Sequence, residues 1–160
     1  MIFEDPQFVK TLDAWLANND QKAAQALSLY KSRVPPMFSR YSGSLYRGMI
    51  VDQKFMTDAE SGKLATPTAK FSSWSKDKTI ATKFAKDSKY KTSGKSGIPI
   101  LVTLKNPLNS VVMDINGICL FAGYDMLQLG LDDLSLDSAI KEQEVLLSGV
   151  KITKSMITKL

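Results

Sequence analysis

Apolar positions along the first third of the chain recur at helical spacing and then give way to alternation. Phe8, Leu12, Trp15 and Leu16 fall on one stripe of residues 6–18, which predicts an amphipathic helix. Pro6 suits its first turn and Asn18-Asn19 its end. Asp20 is a suitable cap for a second helix carrying Ala23, Leu27 and Tyr30, and Pro35-Pro36 stops it. From Ser44 to Val51 the pattern becomes that of a strand, interrupted by Arg47. Phe71-Ser72-Ser73-Trp74-Ser75 predicts a second strand, with Ser73 and Ser75 on one face and Trp74 turned into packing. Asp77 caps a helix with Ile80, Phe84 and Ala85 on its inner stripe, and a basic, glycine-containing loop follows at 88–97. Ile98 to Leu104 alternates as a strand, Asn106-Pro107 turns the chain, and Val111-Val112-Met113 is a further short strand. Residues 117–129 are apolar and read as a helix, whereas 130–141 read as an acidic loop with Asp132, Asp133 and Asp137. Strands at 142–147 and at 150 to about 153 close the pattern, joined by a turn at Ser148-Gly149. Helices first and strands afterwards predict an α+β fold in one domain, 1–160, with a helical lobe at 1–40 and a strand-rich part at 44–154.

Composition narrows the chemistry. There is no histidine, which removes Ser-His-Asp and Cys-His triads, histidine-held zinc and every imidazole base. Acid–base work falls to carboxylates, lysine or tyrosine, and no metal is expected. The single cysteine, Cys119, excludes an intramolecular disulfide and lies in an apolar run that suits an inert buried thiol. A net charge of +5 suits an anionic ligand, and equally a merely soluble basic protein. The first residues lack the basic and apolar regions of a signal peptide, and no apolar run is long enough for a membrane span, so a cytoplasmic place of work is expected.

Glu142-Gln143-Glu144 opens directly into Val145-Leu146-Leu147. On a strand the two carboxylates point to the same side with Cα atoms about 6–7 Å apart, close enough to divide one task. On a helix they would diverge by about 200° and share nothing. Taken alone, such a pair most often marks the solvated face of an edge strand. Arg47, in an otherwise apolar strand, needs a partner. A structural carboxylate and a ligand phosphate gripped bidentately answer that need equally well, and Gly48 beside it allows a close backbone approach. Hydroxyls such as Ser73 and Ser75 at a strand end are usually turn and cap residues, the alternative being that one orients a carboxylate. Gly94-Lys95-Ser96 lacks the upstream glycine and the strand–loop–helix setting of a P-loop.

In order, Leu45-Tyr46-Arg47-Gly48, then Phe71-Ser72-Ser73-Trp74-Ser75 with Ala81 and Phe84-Ala85 beyond, then Glu142-Gln143-Glu144-Val145-Leu146-Leu147, resemble the mono-ADP-ribosyltransferases of the Arg-Ser-Glu class. The resemblance spans about residues 44–154. It implies two packed, antiparallel-rich sheets forming a cleft for NAD, with NAD as substrate and no metal. It further implies that Arg47 holds the NAD phosphates, that the Gly48 backbone meets the nicotinamide amide, and that Ser73 orients Glu144. Ser75 stands with Ser73 on the NAD-facing side. Glu144 would bind the ribose hydroxyl and stabilise positive charge on the sugar, and Glu142 would engage an arginine acceptor. Residues 88–97 would cover the phosphates and 130–141 would meet the target. Trp74 replaces the smaller middle residue of the family's serine triplet, and Ser72 offers a register shifted by one. The implied setting is a monomeric phage protein or injected effector that modifies an arginine-bearing protein of a bacterial host. The competing readings are an NAD glycohydrolase and a non-enzymatic basic module binding nucleic acid or protein, for which the lysines show no stripe.

Overall fold

An aspartate starts each α-helix among the described residues. Asp5, Asp20, Asp52, Asp77, Asp114 and Asp132 cap α1 (Pro6–Asn18), α2 (Gln21–Leu29), α3 (Gln53–Glu60), α4 (Lys78–Lys86), α5 (Ile115–Gln128) and α6 (Asp133–Lys141). Each carboxylate accepts a backbone N–H from the first turn, where the helix dipole also favours negative charge. The computed structural model describes residues 1–63, 69–87 and 97–160. Among these no helix is long and apolar enough to cross a membrane.

The strands are β1 (Leu45–Val51), β2 (Phe71–Ser75), β3 (Ile98–Leu104), β4 (Val111–Met113), β5 (Glu144–Ser148) and β6 (Ile157–Lys159). They form one antiparallel sheet in the order β4-β5-β2-β1-β3-β6, giving an α+β fold. Where the resemblance implied two sheets, the described strands make one sheet pinched in the middle. β1 and β3 pair along their whole lengths, from Leu45↔Leu104 to Val51↔Ile98, and β2 pairs with β5 from Phe71↔Ser148 to Ser75↔Glu144. β1 and β2 meet in register only at Tyr46↔Ser75. Beyond that pair the two three-stranded halves part.

Strand alternation assigns the faces. Phe71, Ser73 and Ser75 lie on one side of β2, and Glu144 and Leu146 on the same side of β5. This face packs under the helices, in a core that joins Phe71 and Leu146 to Phe8, Leu12, Trp15, Leu27 and Ile118. Trp74, Val145 and Leu147 turn to the opposite core, with Leu45, Ile100 and Val102. Ser73 and Glu144 are polar residues on a helix-covered face, where Glu144 is buried and Ser73 half-buried. The Gln21 side chain fixes this arrangement, since its amide donates to the Phe71 carbonyl (3.1 Å) and accepts from the Phe71 N–H (3.0 Å).

Several elements differ from the sequence pattern. Residues 130–141, expected as a loop, hold α6, because the acids that suggested a loop include its cap and first turn. Leu136, Ala139 and Ile140 supply the helical stripe that packs inward. At 150–153 only Ile152 makes an isolated bridge, and the last strand is β6, pairing with β3. Helix α3 follows β1 directly and has no counterpart in the sequence reading.

Candidate active site

The cleft opens where the half-sheets part. It encloses about 440 Å³, and Arg47, Gly48, Ser73, Ser75, Glu142 and Glu144 all line it. That volume lies within the usual range for small-ligand sites. Six residues from separate parts of the sequence therefore converge on one concavity.

Glu144, the first residue of β5, is 6% exposed. The Trp15 indole N–H donates to its Oε2 at 2.7 Å, and the Ser73 hydroxyl, on the same face of the sheet, favours the ionised carboxylate. Burial pushes its pKa up from the ordinary 4.5 to about 7. The Trp15 bond and the Ser73 hydroxyl hold it down against that rise, the nearby Glu142 charge raises it further, and Arg47 lowers it. Glu144 is thus a carboxylate poised near neutrality, charged or not according to small changes around it. The register of the serines follows from the same geometry. Ser73 reaches Glu144, whereas Ser72 faces away and accepts the Trp74 indole N–H at 2.8 Å.

Glu142 requires a correction. It is not on a strand but terminates α6, and the pleat does not bring it beside Glu144. The connection is Gln143, held in the left-handed region at φ 50°. That turn reverses the chain between helix and strand, so both carboxylates reach the cleft by a route no periodicity encodes. Ser75 secures the turn: its hydroxyl donates to the Glu142 carbonyl (2.7 Å) and accepts from the Asp77 N–H (3.0 Å). The Lys76 N–H adds a bond to the Gln143 carbonyl (3.1 Å). With its donor spent on backbone, Ser75 positions Glu142 rather than offering a proton to a ligand.

Arg47 meets a backbone carbonyl where the sequence weighed a structural carboxylate. Among the described residues no carboxylate lies within ion-pair distance of it. Its Nη1 donates to the Ser73 carbonyl at 2.6 Å, and its Nε is buried with no partner. Burial lowers its pKa and the Glu144 charge opposes that. Gly48 makes a close approach, but to protein. A Cβ there would lie 1.8 Å from the Ala81 carbonyl oxygen and 2.8 Å from the Ala85 nitrogen, so α4 rests directly on β1.

Trp15 was assigned by sequence to a core stripe, and its role at Glu144 was missed. The available signal was general: a buried indole N–H seeks an acceptor. Nothing local named one 129 positions away. Of the acids in the stretch expected to meet a target, Asp132 caps α6 and Asp137 pairs with Lys141 at 2.9 Å. The basic loop at 88–97 lies, apart from Gly97, outside the described residues. Cys119 is buried with its pKa pushed up to about 12 by burial, and is unreactive. Among the described residues no group of three histidine, cysteine or acidic side chains could hold a metal ion. The chain matches no protein-family model, no curated protein and no solved structure.

Proposed function

We propose that the protein is a mono-ADP-ribosyltransferase that transfers ADP-ribose from NAD to an arginine side chain of a partner protein and releases nicotinamide. The observation that carries this reading is the convergence, in one cleft, of Arg47, which has no carboxylate partner among the described residues, and Glu144, which is held by the Trp15 indole and faced by the Ser73 hydroxyl. A guanidinium enclosed without a carboxylate is costly unless an anion completes it, and a diphosphate offers oxygens matched to its fork. A fixed carboxylate beside the scissile bond acts where charge develops. As the ribose–nicotinamide bond breaks, C1 of the ribose becomes positive, and Glu144 stabilises that charge more than it stabilises bound NAD. The bonding pair leaves with nicotinamide, and a guanidine nitrogen forms the new bond to C1. Because an arginine is protonated in water, its nitrogen must lose a proton as it attacks, and Glu142 at the same cleft is the group to accept it.

The test is labelled NAD incubated with candidate acceptor proteins, scored for nicotinamide release and for label on protein. Transfer to arginine supports the proposal. Nicotinamide released with ADP-ribose left free in solution would indicate a glycohydrolase, and no release at any pH would end the reading. Glu142→Gln sharpens it, because it disturbs the acceptor side and leaves Glu144 in place. Transfer should fall below detection while slow NAD hydrolysis persists.

A further inference from the structure

We propose that Trp15 is a positioning residue for Glu144, so that the N-terminal helix α1 is part of the catalytic assembly rather than a support for it. This rests on the transferase reading above for its meaning, but its geometry stands apart from it. Trp15 is almost fully buried and lies in the last turns of α1, whose end also contributes Leu16 and Asn19 to the cleft wall. Its only polar atom, Nε1, is spent on Glu144 Oε2 at 2.7 Å, a short bond of the charge-assisted kind. The second indole of the chain, Trp74, sits on the other face and donates to Ser72, so nothing in the general placement of tryptophan forces this contact.

Two groups from different elements act on the Glu144 carboxylate: the Trp15 indole of α1, hydrogen-bonded to Oε2, and the Ser73 hydroxyl of β2. Both favour the ionised form, because an acceptor-only carboxylate takes these bonds better than a carboxylic acid does. The other groups that face it are Arg47 on β1, which favours ionisation, and Glu142 at the end of α6, which opposes it. Cys119 of α5 stays neutral at working pH, and Asp114 is tied to Lys76 at 3.0 Å. Removing the indole N–H leaves burial and Glu142 acting against fewer donors. The carboxylate then holds its proton to higher pH and also loses its fixed orientation.

The experiment replaces the Trp15 indole by benzothiophene, which keeps the ring shape and deletes the N–H, with Trp15→Phe as the simpler companion. Phe8→Leu in the same core is the packing control, since Phe8 stacks against Phe3 and Tyr30 away from the cleft. The readout in free protein is the titration of the Glu144 side-chain carbon by carbon-13 resonance, assigned with Glu144→Gln. Its midpoint should rise by about one pH unit or more in both Trp15 variants and stay put in Phe8→Leu. Nicotinamide release at pH 7 should fall about tenfold or more, with part of the loss recovered at pH 9. An unchanged midpoint, or a loss equal at every pH, would overturn the proposal and leave Trp15 as packing. A shifted midpoint in a protein that releases no nicotinamide even as wild type would uphold the Trp15 contact and remove the transferase reading instead.

Discussion

The two halves of the sheet each bring one ionisable group to the cleft, and they treat it in opposite ways. In the β4-β5-β2 half, Glu144 is completed by the protein, with the indole of Trp15 on Oε2 and the hydroxyl of Ser73 on the same face favouring its charge. In the β1-β3-β6 half, Arg47 is left unfinished, with one backbone acceptor and a buried Nε that has no hydrogen-bond partner among the described residues. On the proposed transferase reading, the difference is between a group that must be ready and a group that must be filled. A carboxylate that stabilises a fleeting charge works best if it needs no reorganisation at that moment. A guanidinium that captures an anion must keep donors vacant until the anion comes. The single registered pair Tyr46↔Ser75 lets the halves part far enough for the cleft while keeping both groups on it.

The sharpest way to break this comparison is to remove the charge on the completed side. Glu144→Gln should lower both transfer and NAD hydrolysis by 10²-fold or more, about 3 kcal/mol or above in the barrier, measured as nicotinamide release. Stability should move the other way. The folded carboxyl holds its proton to about pH 7 against an ordinary 4.5, so the folded state is favoured by protonation. That stabilisation is complete below about pH 4.5 and is lost as pH rises to about 7. Glutamine cannot ionise and escapes the loss. The variant should match the wild type at pH 4.5 and exceed it above pH 7 by on the order of 3 kcal/mol, read from denaturant midpoints at the two pH values. A more active or less stable variant at pH 8 would mean that Glu144 is not the strained charge of the cleft.

How far this could be read in the sequence depends on whether the signal was local. Arg47, Ser73 and Glu144 each sit in a strand whose alternation is plain, and the structure places all three on one cleft. The helix at Pro6–Asn18 and the strands at Ile98–Leu104 and Val111–Met113 were equally plain, being marked by periodicity and by proline or aspartate at their ends. Glu142 was misplaced because a single left-handed residue, Gln143, separates helix from strand, and no pattern of apolar positions announces it. Helix α6 is hidden in the sequence because Asp132 and Asp133, which begin it, have the composition of a loop. Trp15 was read as core, which it is. Its second role depends on a contact that only tertiary packing creates.

The next two predictions lie on either side of the cleft. Ser73→Ala deletes one of the two donors to Glu144 and should cost about 1.5–3 kcal/mol in the barrier, or roughly 10–150-fold in nicotinamide release, with the protein still folded. On the unfinished side, Arg47→Lys keeps the charge but loses the fork, and should weaken NAD binding by about tenfold in calorimetric Kd. An NAD affinity indifferent to this change would mean that Arg47 is not where the anion binds.

The smallest effect tests the register that the whole comparison assumes. Ser72 and Ser73 are neighbours on β2, yet strand alternation sends them to opposite faces, Ser73 to Glu144 and Ser72 to the Trp74 indole. Ser72→Ala therefore leaves the cleft untouched and orphans a buried N–H in the other core. Its cost should appear in stability, about 1–3 kcal/mol for an unsatisfied buried donor, and not in rate. Nicotinamide release per folded molecule should equal that of the wild type, while the denaturant midpoint falls. If Ser72→Ala slows the reaction and Ser73→Ala does not, the strand is displaced by one residue. The carboxylate at position 144 would then take its hydroxyl partner from the other face of the sheet.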